Sequence, residues 1–96
     1  MRKSEIMFIV KPDLEEKDMK KLVDDMKKVL ETNKAKVLDT KEMGQKDLAY
    51  EMNKYNTGYY FLFTIETEGM EATSEFDRLA LINENILRHL IVKVEE

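Results

Sequence analysis

Few side chains in this sequence are of types that catalyse acid–base or nucleophilic reactions. The 96 residues include one histidine, His89, and no cysteine, which excludes thiol nucleophiles, disulfides and cysteine-ligated zinc. Adjacent carboxylates occur at Glu15-Glu16 and Asp24-Asp25. Catalytic carboxylates need burial or a charged partner, whereas we expect both pairs on a solvated helix surface. We interpret His89, which follows an arginine, as a surface or edge histidine rather than a general base.

Glycine-rich phosphate loops and serine nucleophile elbows are also missing from the sequence. The three glycines, Gly44, Gly58 and Gly69, form neither a P-loop nor a dinucleotide-binding pattern, and no serine lies in an elbow motif. A lone histidine cannot assemble a histidine-based metal site. We therefore predict no enzymatic activity, no cofactor and no bound metal.

The segment 58–66, GYYFLFTIE, could carry a different chemistry, the stacking of RNA bases on exposed aromatic rings. In the strand motif of RNA-recognition domains, the stacking rings stand one and three places after a glycine and face away from the helices. Those places fall on Tyr59 and Phe61, which share a strand face with Phe63 and Ile65. Because that face is the more apolar one, we predict that it forms core and does not stack bases.

The formal net charge of −4 argues against phosphate binding by this chain alone. Residues 66–84 hold six acidic residues against Arg78 alone, so we expect this segment to face away from any phosphate. The chain length predicts a single domain spanning residues 1–96. The apolar run at 6–10 is too short for an export signal or a membrane span, and the lack of cysteine fits a cytoplasmic setting.

Hydrophobic periodicity predicts six elements in the order β-α-β-β-α-β. This α+β order is the ferredoxin-like split βαβ fold, an antiparallel sheet with two helices on one face, and it leaves the opposite face and the sheet edges for function. The predicted elements are a strand at 4–11, a helix from 13 to 33, a strand at 36–52 interrupted by a bulge at Gly44, a strand from about 58 to the break at 68–69, a helix from 70 to the turn at 83–85, and a strand at 86–94.

The starts and faces of the two helices follow from specific residues. Asp13 with Glu16 three places later forms a capping box, which predicts the start of the first helix. The second helix is predicted from apolar and small residues at helical spacing. Its predicted stripe consists of Met70, Thr73, Phe76, Leu79 and Ala80.

Four segments, in order and at matching spacing, resemble the bacterial small-subunit ribosomal protein six family. Residues 5–14, EIMFIVKPDL, are similar to the family start Y-E-x-M-F-I-V-R-P-x-L, and residues 44–52, GQKDLAYEM, to its G-x-R-x-L-A-Y-P-I signature. The G-Y-Y at 58–60 matches the motif that follows, and LRHLIVK at 87–93 is similar to the closing L-R-x-L-V-V-R strand. The chain departs from the family pattern at four positions: Ser4 for tyrosine, Met43 for tryptophan, Asp47 in a basic stretch, and Glu51 for proline.

This resemblance implies a non-enzymatic, ribosome-associated protein of the cytoplasm. It implies pairing with small-subunit ribosomal protein eighteen and binding to the central domain of the small-subunit ribosomal RNA. An acidic chain can bind RNA as half of a heterodimer if a basic partner neutralises much of the phosphate charge. The RNA-binding residues predicted on this basis are Arg2, Lys3, Lys46, Lys54, Arg88 and Lys93, and the partner-binding residues are Leu48, Tyr50, Met52 and Tyr60.

Two alternatives remain open on the residues alone. A free-standing single-stranded RNA-binding domain of recognition-motif type would require Tyr59 and Phe61 to be exposed. A small-molecule-binding or acylphosphatase-like module could use the same fold, because fold does not determine function. An acyl-phosphate hydrolase should hold phosphate with an arginine in the loop after its first strand, where this chain has Lys11-Pro12.

Overall fold

The computed structural model of the protein describes residues 2–52 and 55–94, and it describes their side chains except those of residues 2 and 49–52. The element order β-α-β-β-α-β confirms the predicted split βαβ fold. The elements are β1 (Arg2–Val10), α1 (Glu16–Thr32), β2 (Lys36–Met52), β3 (Tyr55–Thr67), α2 (Glu71–Ile82) and β4 (Ile86–Val94).

The four strands form one sheet in the order β2-β3-β1-β4, and every neighbouring pair is antiparallel. The central strands are therefore β1 and β3, and the edge strands are β2 and β4. One face of the sheet packs on both helices. We call the opposite surface the open face. Its described residues are Lys36, Asp39, Lys41, Gly44 and Lys46 of β2, Gly58, Tyr60, Leu62, Thr64 and Glu66 of β3, Lys3, Glu5, Met7 and Ile9 of β1, and Arg88, Leu90, Val92 and Val94 of β4.

An aromatic cluster fills the space between the sheet and α2. The Phe8 ring stacks on Phe61 at 5.3 Å between centroids and meets the edge of Phe63 at 5.2 Å. Phe76 of α2 lies 5.7 Å from Phe8. Each of these four rings is less than 5% exposed, so the aromatic residues of β3 that face the helices are core residues, as predicted. The α1 side of the core contains Met19, Leu22, Val23, Met26 and Leu30.

The bulge predicted in β2 is present. Glu42 pairs with Phe61 and Gly44 with Tyr60, so Met43 is the extra residue on the bulged strand. Gly44 has a φ of 83°, a left-handed conformation that glycine adopts without steric cost. Because of this extra residue, both parts of β2 pair with β3, whose side chains alternate regularly between the two faces of the sheet.

The capping-box prediction was wrong. The first helix begins at Glu16, with Glu15 at the N-cap and no side-chain cap among the described residues. The Asp13 carboxylate instead accepts a hydrogen bond of 2.9 Å from the Tyr55 hydroxyl and lies 3.8 Å from the Lys11 ammonium. A partner distant in sequence therefore competes successfully for this carboxylate.

Boundaries of other elements also differ from the expectation, among them β1, which spans Arg2–Val10 and not 4–11. Because α2 begins at Glu71, Met70 is its N-cap and is 61% exposed, while Ala72 takes a place in the buried stripe. The third strand begins at Tyr55 rather than near Gly58, since Tyr55 already pairs with the end of β2.

Candidate nucleic-acid and partner interface

Three of the predicted RNA-binding cations lie on the open face. Lys3 is paired in register with Glu66, Lys46 with Gly58, and Arg88 with Ile9. The Lys46 and Arg88 side chains are exposed, and that of Lys3 is half-buried.

Of the other three predicted cations, only Lys93 has a described side-chain environment, and it lies on the helix-packed face. Lys93 pairs with Ser4, a buried residue of the helix-packed face, and both line a cavity of about 270 Å³ at the start of α2. Lys54 lies outside the described residues, and the side chain of Arg2 is likewise not described.

The predicted partner-binding residues are also divided. Tyr60 is half-buried on the open face, between Gly44 and Ile9 in register. Leu48 is half-buried in β2, and the side chains of Tyr50 and Met52 in the same strand are outside the described set. Tyr60 therefore lies on the same face as Lys46 and Arg88, which are predicted to bind RNA.

Tyr60 and Lys46 are in contact through a cation–π arrangement. The Lys46 ammonium lies 5.9 Å from the centroid of the Tyr60 ring, near the outer limit of such contacts. On the β2 side, a Cβ added at Gly44 would meet no described atom within 4 Å. The ring therefore has a cation above it and a glycine as its register partner in β2.

An apolar strip crosses the open face next to Tyr60, and the sequence reasoning missed it. Leu62, Met7 and Leu90 are consecutive partners across β3, β1 and β4. Leu90 is 51% exposed, and its neighbour on the same face, Val92, is 48% exposed. Contiguous apolar surface of this kind marks interaction sites. The available sequence signal was the apolar run in β4, which contains more apolar residues than one buried face of a strand needs.

Three of the six acids of segment 66–84 lie on α2, on the side of the sheet opposite the open face. Phe76 anchors that helix against Phe8. Glu66 instead lies on the open face, with Lys3 and Lys36 as its register partners. Lys3 and Lys36 thus lie on either side of Glu66, on the two neighbouring strands. That the segment faces away from phosphate stays a prediction.

His89 lies in the edge strand β4, in agreement with the edge alternative of its prediction, but its side chain is mostly covered. Its side chain is 12% exposed, and its Nε2 lies 2.6 Å from an Asp77 carboxylate oxygen. The ring centroid is 6.2 Å from that of Phe76. Because alternation in β4 turns His89 toward α2, the helix covers it, and the His89–Asp77 contact joins the helix to the edge strand.

Neither a metal site nor a membrane-spanning helix is found in the described part of the chain. No group of three or more His, Asp or Glu residues there could hold a metal ion. Neither described helix is long and apolar enough to cross a bilayer. A second cavity, of about 310 Å³, lies between α1 and β2 and is lined by Leu14, Met19, Val23, Tyr59 and Phe61 among others.

The sequence matches the model of the ribosomal protein S6 family over residues 3–93. The chain belongs to this family. The crystal structure of 30S ribosomal protein S6 from Thermotoga maritima superposes with a TM-score of 0.91 at 29% sequence identity. The alignment covers 97% of this chain and 87% of that one. The resemblance predicted from four sequence segments is thus confirmed, and the S6 family makes the chain a protein of the small ribosomal subunit.

Membership of the S6 family is consistent with how β3 is oriented. A recognition-motif RNA binder would expose Tyr59 and Phe61, but Phe61 is 4% exposed and Tyr59 packs against the core. Tyr60, which is half-buried, lies on the other face of the strand.

Proposed function

We propose that this chain is a structural, non-enzymatic component of the cytoplasmic small ribosomal subunit. It binds the central domain of the small-subunit ribosomal RNA as a heterodimer with small-subunit ribosomal protein eighteen. The observation that carries the proposal is the family match over residues 3–93, which leaves little of the chain outside it.

The charges of the molecule support an RNA contact made together with a basic partner. A chain of net charge −4 repels a polyphosphate at long range, so its cations must be concentrated where RNA lies. The open face carries five cations, Lys3, Lys36, Lys41, Lys46 and Arg88, against three acids, Glu5, Asp39 and Glu66, whereas the three acids of α2 lie behind the sheet. The full set of proposed phosphate contacts also includes Arg2, Lys54 and Lys93.

Protein contacts are proposed at two apolar regions. Leu48, Tyr50 and Met52 of β2 form the first, since interfaces enrich tyrosine and methionine. The second is the strip of Leu62, Leu90 and Val92, whose exposed area would be buried by a partner.

The test is binding of the purified protein to a central-domain RNA fragment, alone and with the partner, across a salt series. We expect binding only when the partner is present. Lys46→Gln should reduce the slope of log affinity against log salt by about 1, because one phosphate contact is lost. Lys28→Gln, which removes an exposed cation of α1 behind the sheet, is the matched control and should leave the slope unchanged. Tight binding without the partner, or no binding with it, would contradict the proposal.

A further inference from the structure

We propose that Tyr60 is a stacking platform for one unpaired RNA base, with Lys46 and Arg88 contacting the flanking phosphates. The inference rests on the proposed RNA-binding function and specifies the chemistry of one contact within it. A single aromatic ring flanked by cations on a sheet surface is the arrangement that sequence-tolerant single-strand binding uses.

The Tyr60 ring lies on the side of the sheet that neither helix covers. Tyr60 belongs to the central strand β3 and faces the open side. Its register partner in β1, Ile9, lies on the same face and is only 5% exposed. A tyrosine side chain has only two torsions, so little side-chain entropy is lost when a base stacks on it.

The residue that pairs with the ring has no side chain. The β2 residue opposite Tyr60 is Gly44. The extra residue at Met43 sets this register and gives Gly44 its φ of 83°, which other residues rarely adopt. The bulge thus puts a glycine opposite Tyr60, so no β2 side chain in register with the ring covers it.

The charges nearest the ring are positive. Two adjacent rows cross the open face, and neither contains an acidic residue. They are Gly44–Tyr60–Ile9–Arg88 and Lys41–Leu62–Met7–Leu90. Lys46 lies above the ring on one side, and Arg88 lies beyond Ile9 on the other. Because these cations attract phosphate, RNA is favoured as the occupant of the row through Tyr60, while Leu62 and Leu90 of the adjacent row remain proposed protein contacts.

The test compares Tyr60→Leu with Tyr60→Phe in the complex with the partner and central-domain RNA. Loss of one base–aromatic stack should weaken RNA binding roughly 5- to 150-fold for the leucine variant. The phenylalanine variant should bind within about twofold of wild type, because stacking uses the ring and not the hydroxyl. The leucine variant should keep the wild-type salt slope, in contrast to Lys46→Gln, which lowers it. Thermal unfolding and affinity for the isolated partner should be unchanged in both tyrosine variants.

Each other result overturns the inference in a recognisable way. If the wild-type complex binds RNA and Tyr60→Leu binds equally well, no base stacks on Tyr60 and the proposed function survives. If Tyr60→Leu weakens binding to the isolated partner, Tyr60 is a protein contact.

A second measurement decides the inference even if the ribosomal RNA fragment does not bind. The ring resonances of Tyr60, assigned by comparison with Tyr60→Phe, are followed in the complex with the partner while a single-stranded oligouridylate is added. A saturable ring-current shift at Tyr60, with no shift at Tyr59 on the opposite face, supports stacking. The absence of a shift at Tyr60 refutes it.

Discussion

The two faces of β3 differ in burial and in the side chains that surround them. On the helix-packed face, Phe61, Phe63 and Ile65 are at most 4% exposed and contact the core. On the open face, Tyr60 and Leu62 are half-buried and lie beside lysines of β2. One strand therefore contributes stability through one set of alternating residues and a binding surface through the other. Substitutions on the two faces should separate folding from binding.

The largest expected effect is on stability from the helix-packed face. Phe63→Ala removes a fully buried ring that meets Phe8 and Phe76, and it should lower the free energy of unfolding by about 3–5 kcal/mol. Leu62→Ala, one residue away on the open face, should lower it by about 1 kcal/mol or less. Guanidinium denaturation curves measure both values. Equal losses in the two variants would contradict the division between the faces.

An intermediate effect is expected at two glycines of the open face, for different reasons. A Cβ at Gly58 would lie 2.5 Å from Ile9 Cγ2 and 3.3 Å from the Val10 carbonyl oxygen, so Gly58→Ala should cost about 1–3 kcal/mol of stability. Gly44→Ala meets no described atom but places alanine at a φ of 83°, with an expected cost of about 1–2 kcal/mol.

The two glycine variants should also differ structurally. Amide resonances of Ile9 and Val10 should shift in Gly58→Ala, whereas those of residues 42–44 should shift in Gly44→Ala. A shift of the Ile9 amide in Gly44→Ala as large as in Gly58→Ala would show that the two glycines are not independent.

The smallest effect concerns Tyr55, at the start of the same strand. The hydrogen bond from its hydroxyl to the Asp13 carboxylate, with smaller contributions from desolvation and the negative charge of Asp13, raises the pKa of Tyr55 above its ordinary value of 10.0. Because the pKa is higher in the folded chain, the associated stability is complete below the pKa of the unfolded chain. It is lost as the pH rises through the folded pKa.

Titration of the Tyr55 ring resonances measures this contact. Asp13→Asn should lower the pKa of Tyr55 toward its ordinary value, while Glu15→Gln, which alters a nearby exposed carboxylate, should leave it unchanged. A pKa of Tyr55 that does not respond to Asp13→Asn would show that the hydrogen bond is absent in solution.

The sequence predicted the features that depend on local periodicity. Alternation predicts the bounds of β2 and the core face of β3, because a strand turns its more apolar side to the helices. A single glycine, Gly44, predicts the bulge. The capping role assigned to Asp13 failed because its partner, Tyr55, is 42 residues away. No local pattern reports such a contact.

The candidate site was less predictable than the fold for a related reason. Which cations share a face depends on the register of strands far apart in sequence, and this register puts Lys46 and Arg88 on the open face but Lys93 beside Ser4. Covering of His89 likewise depends on where α2 lies across β4. The exposed Leu90 and Val92 belong to a strand whose residues are apolar on both sides, so alternation gives no direction there.

The irregular edge strand also bears on how the protein avoids aggregation. An edge strand offers unpaired backbone groups to any other extended chain, and a flat, regular edge is a template for intermolecular sheets. β2 pairs with β3 through register shifts at 37–39, 42–44 and 47–52, and it carries charged side chains between the first two. A foreign strand would have to follow these shifts, so β2 is a poor template. The same distortion that puts a glycine opposite one tyrosine thus disfavours the addition of a strand from another molecule.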